Sequence, residues 1–210
     1  RLRALTPITE TYDLVLKGGT VVNHDGLGVR DIGIRHGRFT AIDDLSSAPA
    51  AKTIDCRGLH VLPGVIDSQV HFREPGATHK EDLSSGSRAA VLGGVTTVFE
   101  MPNTSPPTTS VAALADKVAR AKGRMFCDFA FWVGGTRDTI DELPALERLP
   151  GAAGIKVFIG SSTGDLLVAD APSLRRILEA IDRRAAFHCE DEARLRQRLG
   201  ERRAGDPSSH

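Results

Sequence analysis

From residue 62 onward, short apolar runs alternate with amphipathic segments five times, and this alternation limits the possible folds more than any other feature. Short apolar runs are typical of strands buried in a parallel sheet, and apolar residues at helical spacing are typical of helices that cover such a sheet. Five strand–helix units in succession predict a parallel α/β fold. A complete (β/α)8 barrel takes about 250 residues, and an open half-barrel leaves strand edges unpaired. We therefore expect either additional chain or another element that closes the sheet.

Each predicted strand is a short apolar run, and each predicted helix has one apolar face. The predicted strands cover residues 65–71, 95–101, 126–133, 155–159 and 185–188. The predicted helices cover residues 81–92, 139–149 and 190–202, with one more capped by Ser110 and another that begins at Pro172. The helices and strands therefore alternate along the whole segment, as the parallel fold requires.

Residues 12–60 show a different pattern, in which short apolar runs typical of strands alternate with residues typical of tight turns. Turn-forming pairs interrupt the apolar runs at Gly18-Gly19 and Asp25-Gly26. This spacing predicts a small β domain over residues 1–61, followed by a second domain over residues 62–210. Within the first domain, residues 1–10 show no such pattern and are predicted to form a loose terminus.

The composition of the chain limits which partners and which cellular compartment we expect. Lys and Arg together number 27, and so do Asp and Glu, so the charge balance gives no reason to expect nucleic acid or an anionic membrane as a partner. No apolar run approaches the roughly 20 residues of a membrane-spanning helix. The three cysteines Cys56, Cys127 and Cys189 are odd in number and widely spaced, which predicts reduced thiols in a cytoplasmic protein.

Four polar residues fall at or near the ends of predicted strands, namely His71, Asn103, Lys156 and His188. The carboxyl ends of parallel strands meet at one edge of the sheet, where the active sites of such folds lie. A single histidine there is more often a hydrogen-bonded structural residue than a metal ligand. Lys156 is more informative, because burying an unpaired ammonium group is costly. It needs either a partner or a chemical modification, and the residues alone leave a structural and a functional role open.

Several motifs are similar to those of dihydroorotases, a family of metal-dependent cyclic amidohydrolases. Residues 67–76, with the sequence DSQVHFREPG, resemble the segment that begins the dihydroorotase barrel, and residues 101–104, MPNT, resemble a second signature. Residues 154–158 and 187–190 are similar to two metal-site segments of the family. The resemblance extends over residues 12–210, and REPG together with MPNT is typical of dihydroorotases rather than of the related hydantoinases and allantoinases.

The resemblance implies both a fold and a cofactor. The fold is a TIM-type (β/α) barrel, incomplete here with about five β/α units, preceded by a small β-sandwich domain. The cofactor is zinc, with one or two ions per active site. His71 would bind one ion, His188 would bind the other, and Lys156, carboxylated by carbon dioxide, would bridge them. The zinc ions would lower the pKa of a bound water and polarise the ring amide of the substrate.

The implied reaction is the reversible hydrolysis of dihydroorotate to N-carbamoyl-aspartate in pyrimidine biosynthesis. Arg73 and Asn103 would hold the carboxylate of the substrate, because a planar guanidinium can pair with both carboxylate oxygens. The catalytic proton shuttle of the family is an aspartate, and we expect it beyond residue 210. The resemblance also implies a homodimer.

The sequence departs from the family pattern in two places. Gln69 stands where the family has the first histidine of a His-x-His pair, and an amide oxygen is a weaker zinc ligand than imidazole. Gln69 is therefore a doubtful ligand, and it predicts a one-metal, asymmetric or inactive site. A later histidine ligand of the family is also missing, which leaves two protein ligands per ion, too few for a stable zinc site. His210 does not replace it, because residues 205–210 resemble a different family segment.

Three hypotheses about function follow. In the first, these residues are the amino-terminal half of a zinc dihydroorotase and are inactive alone. In the second, which Gln69 favours, the protein is a non-catalytic scaffold for a partner such as aspartate transcarbamoylase. In the third it is an allantoinase or hydantoinase, although Arg73 and Asn103 are placed for a carboxylate that hydantoins lack.

Residues 160–164 lack the lysine of a phosphate-binding loop and are predicted to be a mobile loop over the site.

Overall fold

The computed structural model describes residues 11–160 and 166–205. The chain divides into two compact units, Arg1–Pro63 and Gly64–His210. The predicted loose terminus, most of the predicted mobile loop and His210 lie outside the described residues. No helix in the described ranges has the length and apolar character that a membrane crossing requires.

The first unit contains one sheet of five strands. They are β1 (Leu14–Asn23), β2 (Gly26–Arg35), β3 (Arg38–Asp43), β4 (Thr53–Asp55) and β5 (His60–Val61). The sheet order is β3-β2-β1-β4, and β5 also pairs with β1. The first three strands form an antiparallel meander, whereas β4 and β5 run parallel to β1. The unit is therefore the small sheet domain that the turn-rich sequence predicts.

The glycine pair near the start of this unit forms a bulge rather than a turn. β1 continues through Gly18 and Gly19, and its register against β2 shifts between Leu16 and Gly19. Gly18 has a φ of 73°, a left-handed conformation that favours glycine. The buried carboxylate of Asp31 accepts hydrogen bonds from the Gly18 N–H at 2.7 Å and from the Leu45 N–H at 3.0 Å. The predicted turn was wrong because this carboxylate satisfies the amide that the bulge frees.

The second unit contains five parallel strands with helices between them. The strands are β6 (Val65–Val70), β7 (Val95–Glu100), β8 (Asp128–Gly134), β9 (Ala152–Phe158) and β10 (Ala185–His188). The helices are α1 (Leu83–Leu92), α2 (Val111–Ala121), α3 (Leu143–Leu146), α4 (Ala171–Ala180) and α5 (Glu192–Glu201). The sheet order β10-β9-β8-β7-β6 follows the sequence, and every pairing is parallel. The predicted fold class, an incomplete TIM-type barrel preceded by a small β domain, is confirmed. The described residues of the small domain form one five-stranded sheet, where a β-sandwich was predicted.

One predicted helix differs from the structure. Residues 137–142 form a 3₁₀ helix, Arg137–Glu142, which continues into the four-residue α3 in place of a single helix over 139–149. Pro144 lies in the first turn of α3. Proline has no N–H to donate to the preceding turn, although it is tolerated at a helix start. The proline therefore separates the segment into two short helices.

The four longer helices begin at side-chain caps. The capping residues, each of which accepts a hydrogen bond from a backbone N–H in the first turn, are Asp82, Ser110, Asp170 and Asp191. The predicted Ser110 cap is confirmed, with its Oγ accepting from the Ala113 N–H at 3.2 Å. Such caps satisfy amides that have no partner within the helix.

The main core lies between the parallel sheet and its helices. Leu83, Leu114 and Ile177 of α1, α2 and α4 pack against buried strand residues such as Phe131 and Ile155. A second, smaller cluster is centred on Met101, Trp132 and Ala153. Alternate residues of one strand therefore enter different clusters. The helix side holds most of the apolar core, and the other side is available for polar residues.

Replacing Leu114 by alanine tests the importance of the helix-side core. Leu114 is 1% exposed, so we expect Leu114→Ala to lower the free energy of unfolding by about 3 kcal/mol, through lost burial and the cavity that remains. Val111 on the same helix is 56% exposed, and Val111→Ala should cost less than about 0.5 kcal/mol. Urea unfolding monitored by circular dichroism measures both values, and equal losses in the two variants would contradict this description of the core.

Candidate functional site

The carboxyl end of the parallel sheet carries the four polar residues that the sequence indicates. His71 directly follows β6, Asn103 lies in the loop after β7, Lys156 is within β9, and His188 ends β10. Parallel strands present their carboxyl ends at the same edge. The fold therefore gathers these residues at one end of the sheet, although they come from four separate strands or loops.

His71 is half-buried and electrostatically disfavoured as a cation. Burial lowers the pKa of His71 below its ordinary value, and the positive charges of Arg73 and Lys156 act in the same direction, whereas the nearby Asn103 side chain opposes them. The contribution of Lys156 is consistent with its position near His71, at the same end of the sheet. A histidine with a lowered pKa is neutral at neutral pH, and the neutral imidazole is the form that binds a metal ion.

Lys156 is buried, and only 2% of its surface is exposed. Its Nζ lies 5.1 Å from the centroid of the Phe158 ring, and within the described residues it makes no hydrogen bond or ion pair. Burial lowers the pKa of Lys156, and Cys189 acts in the opposite direction. The amine is therefore deprotonated more easily than that of an exposed lysine, and the neutral amine is the form that reacts with carbon dioxide to give a carbamate.

His188 contacts the same aromatic ring from the neighbouring strand. Its ring centroid lies 6.0 Å from that of Phe158, and its Nε2 is 3.0 Å from Oε2 of Glu190. A carboxylate on one ring nitrogen fixes the orientation of a histidine and leaves the other nitrogen, here Nδ1, for a ligand. Phe158 thus holds Lys156 and His188 on a common apolar surface.

Arg73 lies in a loop that is joined to the Asn103 loop. Its φ of 60° is in the left-handed region, which is uncommon for any residue other than glycine. The Arg73 carbonyl accepts a hydrogen bond from the Ala77 N–H at 2.9 Å, and the Pro75 carbonyl accepts one from the Ser105 N–H at 3.0 Å. The second bond links the loop after β6 to the loop after β7.

Asn103 carries a polar atom that has no partner among the described residues. Its Oδ1 is buried and makes no hydrogen bond there, whereas most buried polar atoms are paired. The surrounding backbone is well ordered by hydrogen bonds, because the Pro102 carbonyl accepts from the N–H groups of Thr104 and Thr108, both at 2.9 Å. The loop backbone is therefore fixed, and the Asn103 side chain lies beside the His71 imidazole, on whose pKa it acts.

The donor set for a metal ion fits in kind but is incomplete in number. His71, Lys156 and His188 offer nitrogen donors, or an oxygen donor if the lysine is carboxylated. Gln69 is exposed on β6, where its backbone N–H donates to Asp67. In the described part of the chain, no group of three or more His, Cys, Asp or Glu side chains is placed to hold a metal. If two zinc ions share Lys156, each has only two of these donors, fewer than the three protein ligands that a catalytic zinc ion takes, so further ligands are needed.

A buried ion pair behind the site was not predicted from the sequence. Lys117 of α2 and Glu100 of β7 are 1% and 2% exposed, and the Lys117 Nζ donates to Oε2 of Glu100 and, at 3.1 Å, to the Met101 carbonyl. Burial raises the pKa of Glu100 to about 7, although Lys117 opposes this. The available signal is the position of Lys117, three residues after the buried Leu114 on the apolar side of α2.

Replacing Lys117 by methionine should destabilise the protein by about 3–5 kcal/mol, because it leaves the buried Glu100 without its cation. The double variant Glu100→Leu/Lys117→Met should lose less than Lys117→Met alone, since no buried charge remains. Lys122, which is exposed just after α2, provides a matched control, and Lys122→Met should be close to neutral. Urea unfolding of the unmodified protein, Glu100→Leu, Lys117→Met and the double variant measures the coupling, with Lys122→Met as the control. A loss in the double variant equal to the sum of the two single losses would contradict a functioning ion pair.

Comparisons with known proteins place these features in context. A family model described as "Amidohydrolase family" matches residues 60–143. An allantoinase from Rubrobacter xylanophilus is 42% identical over 161 residues, which are 76% of this chain and 35% of the relative. A dihydroorotase from Methanosarcina mazei is 35% identical over 199 residues, which are 93% of this chain and 43% of the relative.

A solved structure of similar fold is that of an L-hydantoinase (dihydropyrimidinase) from Arthrobacter aurescens. It matches with a TM-score of 0.82 at 30% identity, over 93% of this chain and 45% of that chain. The chain therefore spans less than half the length of each of these relatives. The three relatives are named as cyclic amidohydrolases, and their names differ in the cyclic substrate.

Proposed function

This chain belongs to the amidohydrolase superfamily, and we propose that it forms the amino-terminal part of the active site of a dihydroorotase. Members of the superfamily are generally metal-dependent hydrolases, and the relatives act on cyclic amides. The proposed reaction is the reversible hydrolysis of dihydroorotate to N-carbamoyl-aspartate. The residues described here would contribute substrate binding and part of the metal site, and the remaining groups would lie outside them.

The linked loops after β6 and β7 are the observation that carries this proposal. They bring the guanidinium-bearing residue Arg73 and the amide of Asn103 to the same end of the sheet, through the hydrogen bond between Pro75 and Ser105. A guanidinium and an amide suit a carboxylate, because the first pairs with both oxygens and the second adds a neutral donor. Dihydroorotate has a carboxylate next to its ring amide, whereas allantoin and unsubstituted hydantoin have none.

His71, Lys156 and His188 would hold the zinc, with Lys156 carboxylated. The burial of Lys156, which is 2% exposed, supports this assignment, because carboxylation would replace a buried amine without a partner by an anion that the metal neutralises. The bound metal would supply a water of lowered pKa and an electrophile for the ring carbonyl. The chain itself would orient the substrate through Arg73 and Asn103, while Phe158 keeps water from the Lys156 side chain.

A second candidate function is that of an allantoinase. It is favoured by the identities of the relatives, since the Rubrobacter xylanophilus allantoinase is 42% identical and a Deinococcus radiodurans allantoinase is 38% identical, compared with 35% for the dihydroorotase. The dihydroorotase alignment is longer, at 199 residues.

The non-catalytic scaffold is favoured only by Gln69, which provides a poorer zinc ligand than histidine.

Metal analysis combined with activity assays tests the proposal. The longest natural polypeptide that contains these residues should bind one or two zinc ions per chain and hydrolyse dihydroorotate. Lys156→Ala should remove the activity and lower the zinc content, whereas Lys122→Ala, which changes an exposed lysine, should change neither. Elemental analysis and an absorbance assay provide the two measurements. A folded protein with neither metal nor turnover would leave the scaffold as the better account.

Arg73→Met separates the two enzymatic candidates. If Arg73 binds the substrate carboxylate, this variant should raise KM for dihydroorotate by about a hundredfold, which corresponds to the loss of a charge-assisted hydrogen bond of about 3 kcal/mol. Steady-state kinetics with dihydroorotate and allantoin measures the effect. Turnover of allantoin but not of dihydroorotate by the unmodified protein would show that the proposed specificity is wrong and that the allantoinase stands.

A further inference from the structure

We propose that Arg124 is a positioning residue for substrate binding, because it holds Glu74 and thereby fixes the loop that presents Arg73. This inference rests on the proposed function, in which Arg73 binds a carboxylate. Arg124 lies in the turn that follows α2, fifty residues along the chain from Glu74. The proposal therefore assigns a positioning role to a residue outside the segment 67–76 that contains Arg73.

The contact between Arg124 and Glu74 has the geometry of a fixed ion pair. Nη1 and Nη2 of Arg124 donate to Oε1 and Oε2 of Glu74 at 2.7 and 3.0 Å. The Leu83 N–H, at the start of α1, donates to Oε2 at 3.1 Å. Glu74 is only 5% exposed, whereas the Arg124 side chain is 41% exposed, so the pair is half-buried and is screened less than a fully exposed pair. A bidentate pair is both stronger and more directional than a single hydrogen bond.

The position of Glu74 connects this ion pair to the site. It is the residue directly after Arg73, and its carboxylate is bound on the side of α1 and α2. Without Arg124, a buried carboxylate next to Arg73 would have lost its cation and would compete with the substrate for the Arg73 guanidinium. Arg124 therefore does two things: it neutralises Glu74, and it keeps the Glu74 side chain away from the substrate side.

The backbone of the loop requires such support. Arg73 is in the left-handed region at a φ of 60°, a conformation that persists only where its surroundings hold it. On the far side of the loop, Gly76 approaches Ser105 so closely that a Cβ atom at Gly76 would lie 2.9 Å from the Ser105 Cβ. The loop is therefore held at two points, by the ion pair of Glu74 with Arg124 and by the contact of Gly76 with Ser105. Arg73 directly precedes the first of these points.

A neighbouring ion pair on α2, next to the turn that holds Arg124, provides a matched control. The Arg120 Nε donates to Asp116 at 2.7 Å, and both side chains are partly exposed. Arg120 and Arg124 are one helical turn apart in sequence, but only Arg124 contacts the loop. A variant at Arg120 therefore removes a nearby positive charge and an ion pair but leaves the hydrogen bonds from Arg124 to Glu74 in place.

Kinetics of the metal-loaded, longest natural polypeptide tests the inference. Arg124→Met should raise KM for dihydroorotate on the order of tenfold and change kcat less than twofold, since a misplaced binding group weakens substrate binding. Arg124→Lys, which keeps the charge but loses the planar fork, should give a smaller rise. Arg120→Met should leave both constants unchanged. If Arg124→Met does not fold, Arg124→Lys carries the comparison.

Amide hydrogen exchange provides a second measurement that does not need activity. Arg124→Met should speed exchange at the loop amides of Ala77 and Ser105 and at Leu83, while Arg120→Met should not. Faster exchange with an unchanged KM for dihydroorotate would overturn the positioning role, and so would unchanged exchange. If the unmodified protein does not hydrolyse dihydroorotate at all, the proposed function fails, and the exchange comparison still decides whether Arg124 holds the loop.

Discussion

The parallel pairing of β6 to β10 in sequence order is the constraint on which the second unit depends. Every strand runs in the same direction, so each contributes its carboxyl end to one edge of the sheet. This arrangement brings His71, Lys156 and His188 to that edge without any local sequence motif that joins them. The loops after β6 and β7 are then close enough to share a hydrogen bond between Pro75 and Ser105, which links two motifs that are separate in the sequence.

The alternation along β9 explains how a lysine is tolerated in a buried strand. Ile155 and Val157 face the helices and belong to the main core, while Lys156 lies beside Phe158. The apolar contacts of the first pair stabilise the strand and offset the cost of burying the amine. The same principle applies to Lys117, whose charge is neutralised by an acidic partner. The core therefore supports two buried lysines by different means.

Much of the fold could be predicted from the sequence, because hydrophobic periodicity records which face of an element is buried. The five strand–helix units and the Ser110 cap follow from such local patterns. The bulge at Gly18 does not follow from a local pattern, because it depends on the contact with Asp31. The division of the predicted helix 139–149 depends on Pro144, which lies within the apolar pattern. The ion pairs of Lys117 and Glu74 join distant segments, and a single sequence does not show which charges meet. The roles of the predicted site residues stay predictions.

The sequential strand order also has a consequence for how the chain is made. Each strand pairs with the one that precedes it, so each step closes only one crossover segment and not the whole length of the sheet. The amino-terminal strands can therefore assemble while the ribosome is still adding later residues. β6 is the first strand of the sheet to be synthesised, and its residues Val65 and Ile66 are more than half exposed. Among the described residues β6 pairs only with β7, so its other edge offers unpaired backbone groups to a further strand.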